Sequence, residues 1–196
     1  MTEEAEDLKD RLSLIESMIA EGRRTTESWG WTFLLWGVAY YVAIAWSAVR
    51  NTALAWPVTM IATCVLMMVL ISRKVRSRPE TTIGRAMRAI WIAMGISMFT
   101  LLCSLGMSGR YNLHVFVAII GAMLGTANAT SSMILKWRMQ FGCAVVWWAA
   151  AVVSCFTSDT GTSIAFLVAI FFCQIVFGAY GMICEARGRK QGLSHG

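Results

Sequence analysis

A histidine and a carboxylate on the same expected face of the protein are the closest this chain comes to catalytic chemistry. His114 and Asp159, joined to the hydroxyl of Ser108 or the thiol of Cys155, would supply a base, an orienting acid and a nucleophile. No motif frames these residues, so no catalytic residue is assigned. The second histidine, His195, sits in the tail. Two histidines without a carboxylate cluster do not make a haem, zinc or di-iron site. The six cysteines (Cys64, Cys103, Cys143, Cys155, Cys173 and Cys184) include no Cys-x-x-Cys pair. They fall within or at the ends of apolar runs, where a thiol packs as a small buried side chain. No metal and no cofactor is expected.

Neutral polar groups offer a second kind of chemistry. The run GTANATSS carries Thr126, Asn128 and Thr130, and a later apolar run carries Gln174. An amide inside hydrocarbon needs a partner, and an interhelical bond there contributes about 0.6–2 kcal/mol. Asn128, Gln174, Thr126 and Thr130 are therefore the candidate polar contacts within a membrane. Counted from the outer ends of their spans, Asn128 and Gln174 lie at similar depths. They could be structural contacts or the lining of a path for a small neutral solute. Gly121 and Gly125, continued by Ala129, let another backbone approach closely, and packing inside a bundle is expected. Gly178 and Gly181 have the same reading.

The elements that hold these residues are spelled out by hydropathy. The chain has 196 residues, is 57% hydrophobic and only 14% charged, against about 25% charged in a soluble domain. Helices of about 20 apolar residues cross a bilayer core of about 30 Å. Six segments meet that length: 29–49, 54–71, 87–107, 113–135, 139–157 and 162–184. The third is expected to extend backwards from Thr81. Pro57 falls in the first turn of the second, where its missing N–H does no harm. The fold class is all-α, a polytopic membrane protein with a six-transmembrane-helix bundle and an N-terminal amphipathic helix.

Charge orients the bundle. Fifteen of the seventeen Lys and Arg residues fall on one side of the six-span arrangement, six of them in residues 72–88. Only Arg50 and Arg110 fall on the other. That asymmetry places both termini in the cytoplasm. It also accounts for the net charge of +6 without nucleic acid. Trp29, Trp31, Trp91 and Trp137 are expected near the inner interface, and Trp46 and Trp56 near the outer one. Trp36, Trp147 and Trp148 lie deeper and are expected to face protein, where their N–H finds a partner.

Residues 1–28 form the cytoplasmic segment and residues 185–196 the cytoplasmic tail. The first carries eight acidic and four basic residues, with Leu8, Leu12, Ile15, Met18 and Ile19 at three- and four-residue spacing. Thr2 can cap this helix. Gly22 weakens it, and Thr25 or Thr26 can cap the next. A net negative helix is poorly suited to anionic lipid, so the stripe is expected to pack on the bundle or pair with another helix.

The stretch IESMIAEGRRTTESWGWTFLLWGVAYYVA, a basic loop after the second span and SSMILKWRMQFGCAVVWWAAAVV resemble a group of small uncharacterised six-span bacterial integral membrane proteins. The resemblance implies a short cytoplasmic helix leading into a Trp/Gly-rich first span, and carries no activity, cofactor or catalytic residue. The sequence thus points to a multi-pass protein of the cell membrane. It is expected to be non-enzymatic, acting through a protein partner or self-association at its N-terminal helix. The alternative is a channel or carrier for a small uncharged solute. Missing Asp, Glu, Lys and Arg in mid-span favour the first.

Overall fold

The computed structural model describes residues 2–27, 29–50, 54–74, 82–109 and 112–193. Those residues form helices joined by short turns. The order is α1 (Thr2–Glu27), α2 (Gly30–Arg50), α3 (Ala55–Lys74), α4 (Thr82–Met107), α5 (Leu113–Leu135) and α6 (Arg138–Phe156). The chain ends in a continuous rod of α7 (Asp159–Ile170), a π segment (Phe171–Val176) and α8 (Phe177–Leu193). Six stretches are long and apolar enough to cross a membrane: Gly30–Arg50, Ala55–Ser72, Thr82–Leu105, Leu113–Leu135, Arg138–Phe156 and Asp159–Arg187. On that basis the all-α bundle is built as a multi-pass membrane protein.

Local chemistry explains where helices begin and end. Asn112 precedes α5 with extended backbone, and its Oδ1 accepts from His114 N–H at 2.8 Å and Val115 N–H at 3.3 Å. Lys136 closes α5 in the left-handed region at φ 49°, and its N–H returns to Ser132 O. Ser158 caps α7, and Asp159 in its first turn suits the positive end of the helix. The last span therefore starts three residues before the expected Thr162, because a polar first turn carries no hydropathy signal. Arg85 and Arg88 lie on the first two turns of α4. Arg76 and Arg78 of the basic loop, and Arg110 at the opposite end, are outside the described residues.

α1 does not break at Gly22. The helix runs on to Glu27, which places Thr25 and Thr26 inside it and not at a cap. A glycine costs about 1 kcal/mol against alanine in a helix. Good helix formers on both sides, Ala20, Glu21, Arg23 and Arg24, carry the helix through it.

α5 is the centre of the bundle, with twelve buried residues, half of them Gly, Ala or Ser. Its closest neighbour is α6, joined by a turn of two residues. A Cβ on Gly121 would meet Trp147 O at 2.8 Å and Ala151 N at 3.2 Å, and a Cβ on Gly125 would land on the Trp148 indole. The glycine pair thus sets the α5–α6 approach within the bundle. A second close crossing joins α2 to α8. A Cβ on Gly30 would lie 2.7 Å from Gly178 O, and one on Gly178 would lie 2.8 Å from Gly30 O. Tyr41 ties α2 to α7 by donating to Leu167 O at 3.0 Å. α3 and α4 lie at the periphery and expose Val58, Ile61, Val65, Leu66, Ile92, Ile96 and Phe99, as lipid-facing helices do.

Two aromatic clusters brace the bundle. At the end where α2 begins, Phe33 meets Trp91 at 5.3 Å and Phe177 at 5.1 Å, and Phe177 meets Trp137 at 5.1 Å. In the other half, Phe116 meets Trp56 and Phe166, while Phe166 also meets Tyr40 and Trp147. The edge-to-face pairs among them, such as Phe33–Trp91 and Phe116–Phe166, add about 0.5–1.5 kcal/mol each beyond their burial. The expectation for Trp148 is corrected: its ring lies over Gly125 with 37% exposure, because the small glycine leaves a shelf on the outer surface.

Candidate functional site

Between the two aromatic clusters lies a buried polar core. Asn128 is 2% exposed, Ser131 0%, Gln140 0%, Trp147 0% and Gln174 4%. The register set by Gly121 and Gly125 places Asn128 opposite residues 143–145 of α6, and Ser131 about one turn nearer the α5–α6 turn, close to the level of Gln140. Gln174, in the π segment, packs against α2: a Cβ on Gly37 of α2 would lie 2.8 Å from Gln174 Cβ. The neighbouring Cys173 thiol donates to Cys143 O at 3.4 Å.

The π segment helps bring α7 and α8 to this point. Phe177 N–H reaches back to both Phe172 O and Gln174 O, so one turn is widened. Cys173 and Gln174 are both buried there.

Six side-chain atoms of this core have no hydrogen-bond partner among the described residues. They are Asn128 Oδ1, Ser131 Oγ, both amide atoms of Gln140, Trp147 Nε1 and Gln174 Oε1. Asn128 Oδ1 and Gln174 Oε1 accept, Trp147 Nε1 donates, and Gln140 and Ser131 do both. None is charged. In hydrocarbon each such atom costs several kcal/mol unless water or a solute satisfies it.

The expected residues divide by helix face. Asn128 and Gln174 are buried at neighbouring levels, but Asn128 Nδ2 donates at 2.8 Å to Leu124 O of its own helix. Thr126 and Thr130 are exposed, and Thr126 Oγ1 donates to Ala122 O of α5. Neither threonine joins the core, because two residues along a helix rotate a side chain by about 200°. Hydropathy does not single out Gln140, because it sits at the start of its span, where a polar side chain reads as an interface residue. The depth of Trp147 in its span predicts a partner for its N–H. Trp147 is fully buried, yet its N–H has no partner among the described residues.

The opposite end of the bundle holds the histidine. Nε2 of His114 lies 2.7 Å from Asp159 Oδ1, and Nδ1 lies 2.7 Å from Ser154 O and 3.0 Å from Thr162 Oγ1. His114 therefore staples the first turn of α5 to the last turn of α6 and the first turn of α7. The contacts to Ser154 O and Asp159 Oδ1 are satisfied when both ring nitrogens carry protons. Thr162, His114 and Asp159 have the outline of a nucleophile, base and acid. The shortest Nδ1 contact is to a carbonyl, which requires a proton on that nitrogen and removes the base. Thr162 is also fully buried. Ser108 and Cys155 do not join: Ser108 Oγ donates to Leu105 O, and Cys155 Sγ to Ala151 O. The arrangement is a clip. His114→Ala is expected to lower the melting temperature by a few degrees in a thermal scan. Asp159→Asn should lower it less, because an amide oxygen still accepts from Nε2 and the carboxylate is mostly exposed.

The third candidate surface is α1. Residues 6–18 are all exposed, including Leu8 at 62%, Leu12 at 55% and Ile15 at 53%. Ile19 is half-buried. The helix touches α4, α5 and α8, yet its apolar stripe is not covered by them. No group of three metal-ligating side chains occurs among the described residues. No protein-family model matches this chain, and neither the curated proteins nor the solved structures include a match.

Proposed function

We propose that this multi-pass membrane protein acts through protein contacts and not by catalysis, with α1 as the surface that takes the partner. The observation that carries this reading is the uncovered stripe of Leu8, Leu12 and Ile15 on a helix whose other faces are charged. A bundle that packs Trp137 and Met87 at the same end has apolar side chains to cover such a stripe, and leaves it open. We also propose that this end faces the cytoplasm of a bacterial inner membrane. Arg85, Arg88, Lys136, Arg138 and Arg187 gather there, while Arg50 ends α2 at the other.

One experiment tests both statements. In inside-out vesicles, a membrane-impermeant cross-linker should capture a partner on the wild type, and deleting residues 1–20 should abolish capture while the spans still insert. Unchanged capture after the deletion overturns the α1 reading. Capture in right-side-out vesicles alone reverses the orientation.

A second reading rests on the polar core. Six buried atoms without partners among the described residues suit a small uncharged solute that carries both donors and acceptors. Aromatic clusters close this core at both ends, so the arrangement supports an occluded state of such a path.

A further inference from the structure

We propose that the partner of α1 is α1 of a second copy, paired as a short parallel coiled coil. This rests on the reading of α1 as a docking surface and names its occupant. Leu8, Leu12, Ile15 and Ile19 recur at intervals of four, three and four, which is the seam of a heptad with Leu12 and Ile19 at a and Leu8 and Ile15 at d. Leu8, Leu12 and Ile15 are more than half exposed. Gly22 occupies the next d position, so the seam ends there.

Charge identifies the occupant. In a parallel pair, each g residue faces the e residue five positions later in the other copy. Arg11 is at g and Glu16 at e, so the two copies make opposite-charge pairs in both directions. Lys9 is also at e, and the g position five residues before it is Glu4 by sequence. All four flanking positions are thus complementary in a self-pair.

Residues 2–20 hold six acidic and two basic residues, a net charge of 2 − 6 = −4, which would drive two copies apart if it lay at the seam. It does not. Glu3, Glu6, Asp7 and Asp10 occupy the outward b, c and f positions, and the e and g residues sum to zero. Arg11 also pairs with Asp7 of its own helix at 3.0 Å, and its guanidinium has donors left for a second carboxylate. The outward acidic surplus turns the pair away from anionic lipid. Two copies in one membrane are related by an axis along its normal, and a parallel pair obeys that symmetry with α1 standing along that axis.

The test uses the full chain in liposomes, with donor and acceptor fluorophores fused at the C-terminus and energy transfer measured on successive lipid dilution. Arg11→Glu alone and Glu16→Arg alone should each weaken association by about tenfold or more, since attraction becomes repulsion at both pairs. The double change Arg11→Glu with Glu16→Arg should restore it. A mixture of the two single variants should associate with each other, because one is acidic and the other basic at both positions. Undiminished association of Arg11→Glu overturns the parallel self-pair. A monomeric wild type that still cross-links another protein through position 12, lost in Leu12→Asp, overturns self-pairing and leaves the docking reading standing. A monomeric wild type without that cross-link overturns both.

Discussion

Gly121→Ala is expected to destabilise the bundle by about 3 kcal/mol or more, and Gly125→Ala by about 1 kcal/mol. The two glycines are one helical turn apart on the same face of α5, so a sequence pattern treats them alike. Their neighbours differ. The Cβ of Gly121→Ala would meet the backbone of α6, with Trp147 O at 2.8 Å and Ala151 N at 3.2 Å. Backbone cannot rotate away, so the whole α5–α6 pair must part along its length, and α5 is the helix on which the core is built. The Cβ of Gly125→Ala would meet the Trp148 ring, which is 37% exposed and can swing towards lipid by a change of rotamer. Thermal unfolding of both variants in the same detergent measures the difference. Equal losses would mean that Trp148 is held as firmly as the backbone, and would sink the argument.

This contrast shows how much sequence could reveal. The span 113–135 was legible to the residue because Asn112 caps one end and polar Lys136 follows the other. The last span begins three residues before the Thr162 that hydropathy marks, because Asp159, Thr160 and Gly161 are helical without being apolar. Hydropathy marks the part of a helix that lipid accepts, not the part that hydrogen bonds allow. The division of the GTANATSS run was legible in principle. Asn128 and Ser131 lie three apart on one face, and Thr126 and Thr130 lie on the other. The π segment was not legible, since nothing in FFCQIV demands an extra residue in its turn. It follows from packing against α6 and α2, which a single strand of sequence does not contain. The meeting of His114 with Asp159 depends on the same tertiary information, across 45 residues.

The polar core supplies the second large effect. If water or a solute fills the core, Asn128→Leu, Gln140→Leu and Gln174→Leu should each lower stability by about 1–3 kcal/mol, because each then orphans the groups that share it. The triple variant should lose less than the sum, with a coupling of about 0.5–3 kcal/mol, because removing the whole set also removes the unmet hydrogen-bonding demand. Strict additivity would show that the three amides do not share a network. Flux separates the two roles of that network. If the core passes a neutral solute, glycerol-driven swelling of liposomes should slow by about tenfold or more in Asn128→Leu while the protein stays folded. Unchanged swelling in a folded variant removes the solute reading and leaves the core as internal hydration. The aromatic layers sharpen this test. Phe33, Trp137 and Phe177 lie at one end and Phe116, Trp147 and Phe166 towards the other, so passage needs both layers to open. Trp147 belongs to one layer and also carries an N–H of the core that has no partner among the described residues. A ring with both roles couples the filling of the core to the closing of one end. Trp147→Phe keeps the aromatic layer and removes the donor, so the swelling rate of that variant reports the donor alone.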